Sequence, residues 1–112
     1  MSSVPIQYFL VVAAALFVIG SVGFLLRRNL LVLLMSIELM LNAVNLTLVA
    51  YNRAQPLNLS ATGTPVDHTG QILAFFVIAV AAAEAAVGLA IVLAFFRVRR
   101  SVRSDDADIL RN

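Results

Sequence analysis

The chain has 112 residues, of which 62% are hydrophobic and only 12% are charged, and its formal net charge is +2. An ordinary soluble domain is about one quarter charged and about half apolar, so this composition argues against a soluble enzyme. The chain has no cysteine and one histidine, which excludes disulfides, thiol chemistry and a cysteine-ligated zinc or iron–sulfur site. We therefore expect no cofactor and no metal to be bound by this chain alone.

Three long apolar runs follow one another along the sequence, at residues 6–26, 29–51 and 71–96. Each exceeds the roughly 18 residues that mark a membrane-span candidate, and at helical rise each reaches the ~30 Å of a hydrocarbon core. The sequence thus predicts an all-α integral membrane protein. It has a single membrane domain of three transmembrane helices, an outer loop at 52–70 and a tail at 97–112.

The arginines indicate how these spans are oriented. Two of them, Arg27 and Arg28, lie between the first two spans, five follow the third span, and only Arg53 falls on the opposite side. An excess of basic residues marks the cytoplasmic side of a membrane protein. We therefore expect the N-terminus outside, the C-terminal tail in the cytoplasm, and the protein in the inner (plasma) membrane.

Two glutamates interrupt these runs. Glu38 and Glu84 are the only charged residues within the second and third apolar runs, and a carboxylate at the bilayer centre costs roughly 2.5–3.5 kcal/mol on insertion scales. Glu38 lies ten residues after Arg28 and Glu84 thirteen before Arg97, which are depths of about 15 and 20 Å from one surface. Two acids near the midplane indicate proton handling, and three helices are too few to shield both from lipid.

Each acid has its own sequence context. Asn42 and Asn45 follow Glu38 at i+4 and i+7, so the three polar residues share one helix face. The two amides either support water near Glu38 or join neighbouring helices by hydrogen bonds. Glu84 lies within a run of small residues from 79 to 88, which allows neighbouring helices to approach closely. Arg27 and Arg28 are interpreted as topology anchors in a charged cytoplasmic loop.

Three segments carry a family resemblance: RRNLL at 27–31, IELMLN at 37–42 and AAAEAAVGLA at 81–90. In this order, within a three-span chain, they resemble the subunit K family of the proton-pumping NADH–quinone oxidoreductase, respiratory complex I. The mitochondrial counterpart in that family is NADH dehydrogenase subunit 4L. The resemblance covers nearly all of residues 5–100.

The resemblance implies that Glu38 and Glu84 are the two buried glutamates of the family's second and third helices. It implies a non-redox subunit, without a catalytic centre of its own, in a complex that couples electron transfer from NADH to quinone with proton translocation. The complex would use FMN, iron–sulfur clusters, NADH and quinone, none of them bound by this chain. The expected partners are other membrane-arm subunits, including antiporter-like subunits and the quinone-site side of the arm, together with lipid.

Two alternatives stay open at this point. A small subunit of the multisubunit cation/proton antiporters resembles subunit K, so the chain could belong to an antiporter. Alternatively, the chain is a purely structural part of the membrane arm, in which case glutamine at both acids would leave pumping intact.

Overall fold

Three helices make up the part of the chain that the computed structural model describes, residues 4–54 and 68–99. They are α1 (Ile6–Leu26), α2 (Leu30–Ala54) and α3 (Thr69–Arg99). All three are long and apolar enough to cross a membrane, as the sequence predicts. Most of the predicted outer loop (55–67) and most of the predicted tail (100–112) lie outside the described residues.

The helices extend slightly beyond the apolar runs. α1 has the predicted limits, whereas α2 begins one residue later than expected and continues through Asn52 and Arg53 to Ala54. α3 begins at Thr69 and continues past Phe96 to Arg99. A helix satisfies its own backbone hydrogen bonds, which lipid cannot do, so polar residues at the interface can continue a helix that hydropathy alone would end.

A short connection joins α1 to α2. The backbone is extended at Arg27 (φ −110°, ψ 139°), whose N–H donates to the Gly23 carbonyl at 3.3 Å and closes α1. Asn29 then begins the next helix: its side-chain Oδ1 accepts the Leu31 N–H at 2.9 Å, and its carbonyl accepts the Leu33 N–H at 2.9 Å. This is a helix N-cap, and it turns the chain back beside α1.

Helix α2 lies in the middle of the fold and packs against both α1 and α3. Its contact with α1 is close because glycines replace side chains there. A Cβ added to Gly20 would lie 2.9 Å from the Ser36 carbonyl oxygen, and one added to Gly23 would lie 2.7 Å from Ser36 Oγ. Alanines at 13, 43 and 50 are buried in the same part of the molecule. Small residues thus set the α1–α2 distance.

Helix α3 runs antiparallel to α2 and also approaches it through glycines. A Cβ on Gly70 would lie 2.8 Å from the Leu48 carbonyl oxygen and 2.7 Å from Asn52 Cβ, and a Cβ on Gly88 would lie 2.7 Å from Leu34 Cδ2. The interval from Gly70 to Gly88 along α3 equals the interval from Leu34 to Asn52 along α2. The two helices therefore keep one register along their contact.

Candidate functional site

The two candidate acids, Glu38 on α2 and Glu84 on α3, are both exposed on the surface of the described chain. Neither carboxylate has a hydrogen-bond or ion-pair partner among residues 4–54 and 68–99. The structure thus places both acids where a neighbouring chain, lipid or water meets the helices. A carboxylate in the hydrocarbon region requires such a partner.

The register of α2 and α3 places Glu38 and Glu84 at the same depth. Glu84 lies as far after Gly70 in the sequence as Glu38 lies before Asn52, the residue beside Gly70. Since the rise is equal along both helices, the two acids lie level with each other. The unequal depths estimated from the arginines arise because α3 reaches further toward its arginine-bearing end than α2 does.

The rotation of each helix decides on which side of the α2–α3 contact each acid lies. Glu38 is four residues after Leu34, hence about 40° from the contact direction in the sense of increasing residue number. Glu84 is four residues before Gly88, hence about 40° in the opposite sense. Because the helices are antiparallel, opposite senses of rotation place the two side chains on opposite sides of the contact.

The asparagines lie on the Glu38 side of the contact. Asn42 is exposed, whereas Asn45 is half-buried and close to the α3-facing direction. The Oδ1 atom of Asn45 is buried and has no hydrogen-bond partner. It lies at the level of α3 between Ala74 and Ala81, both buried, whose side chains carry no donor. An amide oxygen in this environment requires a donor from outside the described residues, such as a water molecule.

The hydroxyl side chains of α1 and α2 differ from these four residues. Ser21, Ser36 and Thr47 each donate to the carbonyl four residues earlier in their own helix, at 2.8, 2.8 and 2.9 Å. These hydroxyls therefore need no external partner. The unmet hydrogen-bonding capacity in the middle of the helices belongs to the two glutamates and to the asparagines that follow Glu38.

The small-residue run of α3 is divided between two surfaces. Ala81 is buried and Gly88 contacts Leu34 of α2, so these residues form the packing face. Glu84 and Ala85 are exposed at its edges. The expectation that small residues allow close helix approach is confirmed at Gly88.

The charged connection between the first two helices lies away from the two acids. Arg27 and Arg28 are both exposed where α1 ends and α2 begins, ten or more residues along the chain from Glu38. The described residues contain no group of three or more His, Cys, Asp or Glu side chains that could hold a metal.

Comparison with known proteins identifies the family. The model of NADH-ubiquinone/plastoquinone oxidoreductase chain 4L matches residues 8–112. The chain belongs to the chain 4L family. A protein from Sorangium cellulosum named NADH-quinone oxidoreductase subunit K is 74% identical over 112 residues, which is 100% of both chains. The subunit K of Myxococcus xanthus is 54% identical over 109 residues, 97% of this chain and 99% of the other.

Membership of the chain 4L family confirms the resemblance predicted from the three sequence segments. The chain is a membrane-arm subunit of NADH–quinone oxidoreductase, so other subunits of that complex are its partners. Together with its three helices, this makes it a multi-pass protein of the inner membrane. The antiporter alternative is not favoured, because full-length matches carry the subunit K name.

Proposed function

We propose that Glu38 and Glu84 are proton-relay residues that help to couple electron transfer from NADH to quinone with proton translocation. The observation that carries this proposal is the pair of carboxylates at equal depth, without partners among the described residues. Both acids can exchange protons, and hydrogen-bonded water or a neighbouring side chain would connect them to the next group.

Energetics favour a role in chemistry over one in packing. Each mid-membrane acid is disfavoured by roughly 2.5–3.5 kcal/mol on insertion scales, whereas a hydrogen bond between membrane helices contributes on average about 0.6 kcal/mol. Glutamine would provide the same hydrogen bonds without the charge. The acidic group is therefore best explained by its ability to gain and lose a proton.

The two acids serve different neighbours. Since Glu38 and Glu84 lie on opposite sides of the α2–α3 contact, each faces a different part of the surrounding assembly. Any transfer between them passes around or through the contact that contains the buried Asn45 oxygen. We infer that Asn42 and Asn45 bind water on the Glu38 side, and that the coupling reaches this subunit on one face and leaves it on the other.

The remaining parts of the proposal concern the setting of the relay. The N-terminus faces outside and the C-terminus the cytoplasm, as supported by the arginines at 27, 28 and 97 at one end of the helices and Arg53 at the other. The neighbours include antiporter-like subunits and the quinone-site side of the arm. The chain has no redox centre; it lacks cysteine thiolates for an iron–sulfur cluster.

The decisive experiment measures NADH-driven quinone reduction and proton pumping in membranes with Glu38→Gln or Glu84→Gln, after assembly of the complex is verified. Loss of pumping with intact assembly is expected, because glutamine keeps the shape and removes the exchangeable proton. Met35→Gln is the matched control: this residue is 70% exposed and one turn before Glu38, so it introduces an amide and removes no acid. Normal pumping in both glutamate variants would leave a structural role only.

A further inference from the structure

A cavity of about 300 Å³ lies between the start of α1 and the end of α2, on the same side of α2 as Glu38. Its walls are mostly apolar and include Phe9, Leu46 and Val49, and Arg53 lies at its edge. This volume is at the lower end of ordinary ligand sites. An apolar groove with one cation at its edge is complementary to a molecule that has an apolar chain and an anionic head.

The depth of Arg53 indicates which molecule this is. Arg53 follows Glu38 by 15 residues, which is about 22 Å along the helix. With Glu38 near the midplane, Arg53 lies several ångströms beyond the ~15 Å half-thickness of the hydrocarbon core, at the level of the phosphates. The cavity begins at that level and continues toward the midplane along Val49 and Leu46. A membrane phospholipid has its phosphate and its acyl chain in these same relative positions.

Charge on the chain itself supports an external anion. Arg53 is the only arginine or lysine between residues 29 and 96. The carboxylates among the described residues, Glu38 and Glu84, lie near mid-depth, too far along the helices to reach Arg53. A guanidinium binds phosphate oxygens through paired N–H donors.

We propose that this cavity binds one phospholipid, with its phosphate on Arg53 and an acyl chain along Phe9, Leu46 and Val49. The site is separate from the two acids and does not depend on their role in proton transfer. The lipid would fill the groove between α1 and α2 at the membrane surface and seal this end of the subunit against its neighbour.

The test uses the intact complex in vesicles that contain a phospholipid with a photoreactive diazirine in its acyl chain. Label on peptides from the α1 start and the α2 end is quantified by mass spectrometry. Arg53→Gln and Val49→Trp should reduce this label at least five-fold, the first by removing the cation and the second by filling the groove. Arg53→Lys should retain most of it.

Two controls separate this site from lipid contact in general. Val44→Trp adds the same bulk on the other side of α2 at a residue of equal exposure, 41% for both valines, and should leave the label unchanged. Arg97→Gln removes an arginine at the other membrane surface and should also have no effect. A diazirine diacylglycerol, which lacks phosphate, should show no dependence on Arg53. Equal labelling in Arg53→Gln and the unmodified complex, or no label because a protein partner fills the groove, would overturn the proposal.

Discussion

Glu38 and Glu84 lie at the same depth but on opposite sides of the contact between α2 and α3. This relationship follows from the contacts of Gly70 with Asn52 and of Gly88 with Leu34. It means that the width of one helix–helix contact separates two acids that face different neighbours. A relay in series, one acid on each face, fits this arrangement better than two independent sites.

The combined effect of the two acids tests the series arrangement. If one proton path or one charge change passes both residues, either glutamine variant interrupts it, and the Glu38→Gln/Glu84→Gln double variant should pump no worse than the more impaired single variant. Such non-additivity is expected of groups that act as one unit. The measurement is the initial rate of proton uptake into vesicles per NADH oxidised. Single-variant losses that multiply in the double variant would indicate two separate paths.

The close contact between α1 and α2 predicts different responses at two glycines. Gly20→Ala places a Cβ against the Ser36 carbonyl oxygen, and a backbone atom cannot move aside, so we expect a loss of stability of about 1–3 kcal/mol. Gly23→Ala meets only Ser36 Oγ, and a smaller loss is expected. The measurement is the thermal midpoint of the detergent-solubilised complex.

Ser36→Ala provides the matched test of that explanation. It removes the hydroxyl that would obstruct Gly23→Ala, so it should restore stability to that variant and leave Gly20→Ala impaired. Rescue of both glycine variants to the same extent would show that the backbone contact at Gly20 is less restrictive than the structure indicates.

The spacing between α2 and α3 should control proton pumping without any change to an acid. Gly88→Leu would force the helices apart against Leu34, one turn from both Glu84 and Glu38. We expect several-fold slower pumping in a complex that still assembles. Leu34→Ala, which removes the opposing side chain, should largely restore the rate when it is combined with Gly88→Leu. Full activity of Gly88→Leu alone would contradict the proposed importance of this spacing.

The N-cap of α2 should contribute measurably to stability. Asn29→Ala removes the side-chain oxygen that accepts the Leu31 N–H, and loss of such a cap costs typically about 1 kcal/mol. Asn29→Asp keeps an acceptor and should retain most of the stability. Thermal unfolding of the purified complex is the measurement, and equal midpoints for the alanine and aspartate variants would argue against a capping role.

Much of the fold could be predicted from hydropathy alone. The apolar runs indicate three helices because a lipid-embedded backbone has few alternatives, and only the helix ends differ. α2 continues through Asn52 and Arg53 because polar residues are compatible with a helix at the membrane surface. The spacing of Glu38, Asn42 and Asn45 in the sequence is likewise sufficient to indicate one polar helix face.

The relative placement of the helices could not be predicted in this way. All three are apolar around most of their circumference, so periodicity does not identify which face of α2 meets α1 and which meets α3. That choice depends on where small residues allow close approach, at Gly20 and Gly23 on one side and at Gly70 and Gly88 on the other. The opposite placement of the two acids and the cavity beside Arg53 both follow from these contacts.

The central position of α2 has a consequence for how the protein is made. With α1 and α3 on separate sides of α2, the few buried residues are mostly alanines and glycines, and the chain has almost no interior of its own. An unassembled copy exposes two acids and long apolar faces with nothing to match them. Its lifetime in the cell is therefore set by how quickly neighbouring subunits are synthesised, and copies in excess of those neighbours are natural substrates for membrane proteases.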